Sequence, residues 1–271
     1  AVVAAVLVGE VLVDTYYGND TWQAVGFGVA DVVEPLIGAS LVLAWCGGRP
    51  DLRERRDFVG FLVGACLIAP VIPALIGGHA IAGDGGPPWQ GAALTWWAGD
   101  AVGVLVMASP ILLWPDQAGV LRRRPWETAA ALLVTGGLSV GSFWSDLPPS
   151  VLVLPVLAWA AFRLDMLGAA AAGAVAAFLA NIMTTRGEGL FASEQVSPEN
   201  QVVLVQIYIA VIVVVAMLIA QEAGARLRAV RERDVERRER VRLETLSMLA
   251  HRLSAALTPK DIGEALLDHV L

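Results

Sequence analysis

The stretch QVVLVQIYIAVIVVVAMLIAQEAGARLRAVRER, residues 201–233, decides the fold class of this chain. Residues 201–225 are almost wholly apolar, and a helix of about 20 such residues is long enough to cross the hydrocarbon core of a bilayer. The arginines that follow would each cost about 2.5–3.5 kcal/mol at the centre of that core. The stretch therefore predicts a membrane-spanning helix that leaves the bilayer at its charged end.

Seven further apolar runs precede this one, so we expect eight crossings in all. Hydrophobic residues make up 56% of the sequence, charged residues make up 17%, and the mean hydropathy is +0.64. These values exclude an ordinary soluble domain and predict an all-α fold, a polytopic transmembrane helical bundle. The first run is short, and we expect additional upstream sequence. The seven runs are 1–13, 22–46, 58–77, 89–114, 126–144, 149–162 and 166–185.

The basic residues give the orientation of the bundle. Of the 19 Lys and Arg residues, all but Arg186 lie in alternate connections or after the last run. Because basic residues are retained on the cytoplasmic side, we expect a multi-pass protein of the plasma (inner) membrane with both ends in the cytoplasm. The basic segments are 47–57, 117–124, Arg163 and everything after Arg226, whereas 77–88, 145–150 and 185–200 are predicted to be outer connections.

Several classes of site receive no support from the sequence. The net charge of −7 gives no basic surface for nucleic acid. Cys46 and Cys66 lie nearer the reducing side, so no disulfide is expected. His79 has no metal-ligand companions and is interpreted as loop surface. We expect no metal, no cofactor and no catalytic residue in this chain, and the lipid bilayer as its first partner.

Three glycine pairs have the GxxxG spacing that lets helix backbones approach closely. Packing within one bundle is the favoured interpretation, and a dimer interface is the alternative. The pairs are Gly60 and Gly64, Gly99 and Gly103, and Gly137 and Gly141.

The last run continues into a charged segment, 226–257, without Gly or Pro before Pro259. We expect one helix to cross the membrane and continue as a long cytoplasmic signalling helix. Its apolar stripe predicts a coiled coil and a homodimer, with a solvated single helix as the alternative. That stripe consists of Leu246, Leu249, Leu253 and Ala256. Thr258 and Pro259 fit the start of a new helix, so we interpret 258–271 as the beginning of a further cytoplasmic domain.

Acidic residues lie inside the predicted spans. Asp31, Glu34 and Asp100 fall near the middle of their runs, where charges seldom face lipid. Arg163 is the natural counter-charge, and its side chain is long enough to reach Asp100 or Glu34. In the alternative, Arg163 extends to the inner face and the acids pair with polar groups or stay protonated.

The string WWAGDAVGVLVMASP, residues 96–110, is the most distinctive one. Together with ADVVEPLIGA (30–39) and LPVLAWAAFRLDMLGAAAA (154–172), it resembles the bacterial membrane-associated sensor domain, type one. The family's W-x-GD-x-x-G corresponds to Trp97, Gly99, Asp100 and Gly103, and its other positions correspond to Glu34, Trp159 and Arg163. The resemblance implies that these residues and Trp96 receive a signal. Asp31 departs from the asparagine of the family pattern, which puts a simple pairing of one acid with one base in doubt.

The tail, 246–271, resembles the linker and opening helices of a GAF domain. His251 has a rival interpretation as a phosphoacceptor, but the acidic neighbour that this chemistry needs is absent, and a solvated linker histidine is favoured.

The sequence therefore predicts a membrane-embedded sensory input domain of a bacterial signal-transduction protein. A small molecule, a partner or the bilayer would act on the bundle, and a two-component histidine kinase, a diguanylate cyclase or a phosphatase would follow. A proton- or cation-coupled transporter or channel using the buried acids is the alternative.

Overall fold

The computed structural model describes residues 2–81, 88–145, 149–192 and 197–256, and this part of the chain is largely helical and contains no strand. Five helices are long and apolar enough to cross a membrane: Thr21–Cys46, Arg55–Ile81, Trp89–Arg123, Leu152–Thr185 and Asn200–Val230. The predicted all-α transmembrane bundle is confirmed. The helices are α1 (Val2–Tyr16), α2 (Thr21–Cys46), α3 (Arg55–Gly60), α4 (Val71–Ile81), α5 (Trp89–Arg123), α6 (Pro125–Phe143), α7 (Pro149–Thr185) and α8 (Pro198–Ala256).

Helices α3 and α4 belong to one predicted run and are joined by a π-helical segment, Phe61–Ile68. Its wider turn is visible where the Ala69 N–H donates to the Gly64 carbonyl at 3.1 Å. Pro70 follows at once, and its ring cannot continue a regular α-helical ladder. The irregular segment of this run therefore lies on the N-terminal side of Pro70.

Two predicted connections are helical instead. Residues 77–81 form the last turn of α4, so His79 lies on a helix and not in a loop, although its side chain is at the surface as expected. Its ring stacks on Trp89 with 4.5 Å between centroids, and this contact supports the extra turn. Residues 117–123 likewise continue α5 to Arg123. Arginine is a good helix former, so leaving the apolar region does not end the helix.

Helix α7 consists of two halves that meet at Asp165, whose backbone (φ 61°, ψ −168°) is not helical. At this end Arg163 contacts Glu127 in the first turn of α6. After the second half, Gly189 lies against Phe143 at the opposite end of α6. The two halves therefore run along α6 in opposite directions, as the separate runs 149–162 and 166–185 predict.

The basic connections lie at the same end of the bundle. Arg49 pairs with Asp116 near the end of α5, at 3.2 Å. At the next residue of α5, the Gln117 side chain accepts a hydrogen bond from the Leu167 N–H at 2.7 Å. Gln221 of α8 donates to the Leu52 carbonyl at 3.1 Å. These contacts bring together the segments that the charge pattern assigns to one side.

The best-buried part of the bundle is the second half of α7 against the first part of α8. Alanines predominate on α7 here, and Ala169, Ala172 and Ala180 are fully buried. A Cβ built on Gly173 would lie 3.0 Å from Val213 of α8, which shows how closely the backbones approach. Small residues permit such contact where the hydrophobic effect does not drive helix association.

The predicted glycine contacts occur at one pair of the three. Gly60 lies against the Trp45 ring, and a Cβ on Gly64 would be 3.2 Å from Leu41 of α2. Within the described residues, nothing lies within 4 Å of a Cβ built on Gly99, Gly103, Gly137 or Gly141. The expectation that these four seal the bundle is wrong, because their helix faces point away from neighbouring helices.

The contacts divide the chain into two units, 1–224 and 225–271. In the second unit, Leu246 is exposed within the helix that continues α8. The side chains of Leu249, His251, Leu253 and Ala256, and the whole of the predicted GAF-like segment 258–271, lie outside the described residues.

Candidate functional site

The intramembrane acids form a cluster where α1, α2 and α5 meet. Asp31 and Glu34 lie one turn apart on α2, and the Glu34 carboxyl faces that of Asp100 on α5. Glu10 and Asp14 of α1 are close enough to Asp31 to interact electrostatically. Sequence spacing predicted that Asp31 and Glu34 lie together on α2, whereas the contact with Asp100 is visible only in the three-dimensional structure.

This cluster has no basic partner in the part of the chain that the structure describes. The ion pairs there join Arg49 to Asp116, Arg53 to Asp51, and both Arg124 and Arg163 to Glu127. Two carboxyl groups in contact need a proton on one of them, because an ionised carboxylate has no donor. The site can therefore hold a proton between Glu34 and Asp100 or accept a ligand that brings donors.

The two tryptophans of the Trp-Gly-Asp string have separate contacts. The Trp97 indole N–H donates to the Leu67 carbonyl at 2.9 Å, beside the proline interruption. Trp96 lies one turn before Asp100 on α5, close to its carboxyl group. Its ring also covers Gly77 of α4 and packs on Phe27 of α2 at 5.2 Å between centroids. The string therefore ties α5 to both α4 and α2 at the level of the acids.

The predicted pairing of Arg163 with Asp100 or Glu34 is wrong. Arg163 instead makes two hydrogen bonds of 2.8 Å to the Glu127 carboxylate. The reversal at Asp165 places Arg163 at the basic end of the bundle, which matches the alternative of an arginine at the membrane face. Trp159, one turn earlier, lines a shallow pocket together with Ala130, Val134, Pro155 and Val156. The structure therefore shows neither residue in contact with the acids.

Sequence reasoning missed Glu127 as the partner of Arg163. Glu127 lies in the first turn of α6, immediately after the arginines at 122–124. An acid beside a basic cluster at a span boundary is a signal for an interfacial ion pair, and it was available in the sequence. The described residues hold no group of three or more His, Cys, Asp or Glu that would suit a metal.

An apolar cleft adjoins the acid cluster, and no pattern in the sequence predicts it. The cleft has a volume of about 500 Å³ and lies between α2, the π-helical segment and α5. Glu34 lies at one end, and Arg49 and Pro50 lie at the other. A site of this size is in the range that small ligands occupy.

Comparison with known proteins identifies the family. The family model MASE1 matches residues 1–223, and the chain therefore belongs to the MASE1 family. This is a family of membrane sensory domains found in signalling proteins, and the domain itself is not catalytic. The resemblance drawn from the Trp-Gly-Asp string is confirmed to that extent. No curated protein and no solved structure matches the chain.

Proposed function

We propose that this MASE1 chain is the input domain of a bacterial signal-transduction protein and that it passes a signal from the bundle through α8 to a cytoplasmic effector. The observation that carries the proposal is α8 itself, assigned as one helix from Pro198 to Ala256. Ile209, Ile212 and Met217 in its first part are fully buried in the bundle. A transporter has no evident need for such a helix.

The sensing site of this proposal is the acid cluster with its two tryptophans. Burying acids without a basic partner costs free energy that a purely structural role does not repay. A small molecule, a protein partner or a change in the bilayer that favours one arrangement of α2 and α5 would shift the bundle between states. The residues concerned are Asp31, Glu34, Trp96, Trp97 and Asp100.

Three contacts support a route from this site to α8. The Leu52 carbonyl, in the connection after α2, accepts a hydrogen bond from Gln221 of α8. On the other side, Gln117 of α5 binds the Leu167 N–H at the start of the second half of α7. The same half of α7 contacts α8 at Gly173 and Val213. Displacement of α2 or α5 would therefore act on α8 through buried polar contacts and close packing.

The readout in this proposal is a parallel homodimer of linker helices in the cytoplasm, below the inner membrane. The exposure of Leu246, together with that of Leu243 one turn earlier at 66%, supports an apolar face that a partner helix would cover. A GAF-like module and a histidine kinase, diguanylate cyclase or phosphatase effector would follow in the full-length protein.

The experiment that tests the proposal changes the helical phase of the linker. One alanine inserted after Asp234 turns everything downstream by about 100°, whereas a seven-residue insertion of about two turns nearly restores the phase. We expect the single insertion to lock or abolish the effector output of the full-length protein in cells, and the seven-residue insertion to retain it. Immunoblots of membranes check that both variants insert equally. Equal outputs would contradict the coupling.

The unbalanced acids also favour a second candidate, a proton- or cation-coupled transporter or channel. Asp31, Glu34 and Asp100 would then carry the ion across the middle of the bundle. This function predicts flux of protons or monovalent cations into proteoliposomes that is lost in Asp100→Asn. Proteoliposomes without flux, combined with phase-dependent output, would exclude it.

A further inference from the structure

We propose that the cleft between α2 and α5 holds an acyl chain of an anionic phospholipid from the bilayer, with the lipid phosphate bound by Arg49. The proposal deepens the sensor function and rests on it for its consequence, because the occupant would lie against the helix that carries Glu34. Lipid binding itself can be measured without any signalling output.

The walls of the cleft are suited to a hydrocarbon chain. Gly38, Ala39 and Val42 of α2 face Val104 and Ala108 of α5 across it, and Phe61 and Ala65 close the back. Glu34 and Arg49 are the charged lining residues, one at each end. From Glu34 to Leu43 the α2 wall is about 14 Å long. The surrounding bilayer is as apolar as the cleft, so the hydrophobic effect does not favour either place for an acyl chain. The chain would prefer the cleft because its walls pack more closely around the chain than loosely packed lipid does.

The cleft opens on its long side. Leu43 is 52% exposed and Ile111 is 67% exposed, and they stand on opposite lips of the opening. On a transmembrane bundle, such an opening in the apolar zone faces lipid. A bilayer lipid can enter it sideways, whereas a water-soluble ligand would have to pass the hydrocarbon region first.

The polar end of the cleft lies at headgroup level. Trp45, near the end of α2, donates its indole N–H to the Arg56 carbonyl at 3.2 Å, and tryptophans are enriched at this depth. The connection 47–57 begins here with four arginines against three acids, and Arg49 is the arginine that lines the cleft. This charge complementarity selects an anionic phospholipid over a zwitterionic one.

Arg49 has the capacity to bind a phosphate. Its Nη2 donates to the Leu112 carbonyl and to Asp116, at 3.2 Å for the latter, and its side chain is 49% exposed. Among the described residues no acceptor is assigned to its Nε or Nη1. A guanidinium presents its N–H groups as a fork that matches phosphate oxygens, so these free donors can take a headgroup. Asp116 then competes with the phosphate for Arg49.

The test is photo-crosslinking of the full chain in phosphatidylcholine vesicles. The probe is phosphatidylglycerol with a diazirine on its acyl chain, and the comparison probe is phosphatidylcholine with the same chain. Mass spectrometry of the labelled peptides should show phosphatidylglycerol enriched in 38–43 and 104–112 by about tenfold, as a charge-assisted hydrogen bond provides. Equal labelling of these segments by the two probes would overturn the proposal.

Four variants sharpen the result. Arg49→Gln should bring the preference for phosphatidylglycerol to about one, whereas Asp116→Asn should raise it, which misfolding would not do. Ala39→Trp should fill the cleft and abolish labelling there. Leu133→Trp, at an exposed position on α6 outside the cleft, should leave labelling unchanged. If Ala39→Trp labels like the parent chain, the lipids at the cleft are ordinary surrounding lipid and the proposal fails.

The outcomes separate this proposal from the sensor function. If the one-residue and seven-residue linker insertions give equal output, the sensor function is refuted, while selective lipid labelling would still be observed. Absence of selective labelling, with phase-dependent output retained, refutes the lipid site alone.

Discussion

The contact between Glu34 and Asp100 is the residue pair on which the candidate site depends. Its carboxyl groups face each other, and no ion pair among the described residues joins them to an arginine or lysine. An amide at position 100 can donate a hydrogen bond to Glu34, whereas a methyl group cannot.

We therefore expect Asp100→Asn to retain the thermal stability of the detergent-solubilised chain to within about 1 kcal/mol, and Asp100→Ala to lose about 1–3 kcal/mol because Glu34 is left without a partner. Thermal unfolding followed by circular dichroism measures both variants. Equal loss in the two variants would show that the pair makes no specific contact.

Gly77 sets how closely Trp96 approaches α4. A Cβ at Gly77 would overlap the Trp96 indole ring, whereas nothing lies within 4 Å of a Cβ on Gly91 in the described structure. We expect Gly77→Ala to destabilise the chain by about 1–3 kcal/mol through overpacking. Gly91→Ala, the matched control on α5, should stabilise it by up to about 1 kcal/mol through helix propensity. Two variants of equal stability in thermal unfolding would refute the packing of Trp96 on Gly77.

At the scale of elements, the reversal within α7 organises the basic end of the bundle. Asp165 has backbone dihedrals that are costly for a residue with a Cβ, and its Oδ1 accepts a hydrogen bond from the Met166 N–H at 2.8 Å. Glycine reaches this conformation freely, while a β-branched side chain is strained in it.

Asp165→Gly should accordingly be at least as stable as the parent chain, since the relief of strain offsets the lost hydrogen bond. Asp165→Val should lose about 1–3 kcal/mol, because it keeps the strain and removes the hydrogen bond. Thermal unfolding of the two variants gives the comparison. A glycine variant that is less stable than the valine variant would mean that the two halves of α7 do not reverse here.

The apolar runs could be predicted from the sequence because a span must satisfy its backbone internally, which leaves a long helix as its simplest form. The partner of Arg163 could not be predicted, because it depends on where the chain reverses direction. That reversal is located at a single residue, Asp165. The sequence also does not predict which way Gly99 and Gly137 point. GxxxG spacing shows that a helix can approach another closely, but it does not show which side of the helix is turned toward a neighbour. The cleft arises from three separate segments, so no single window of sequence shows it.

For the molecule as a whole, the proposed signalling function requires that the basic end of the bundle faces the cytoplasm. The contacts of Arg49, Gln117 and Gln221 place the basic connections at one end of the structure. The side of the membrane follows from the retention of basic residues on the cytoplasmic face. The linker, the dimer and the lipid headgroup at Arg49 all depend on this orientation.

The most direct test is labelling with a membrane-impermeant maleimide in a chain whose Cys46 and Cys66 are replaced by alanine. One variant carries Arg123→Cys at the basic end, and the other carries Arg186→Cys at the opposite end. In spheroplasts with intact inner membranes, we expect rapid labelling at position 186 and no labelling at position 123. Position 123 should be labelled only after the membrane is permeabilised. Labelling at position 123 in intact spheroplasts, with position 186 protected, would contradict this orientation.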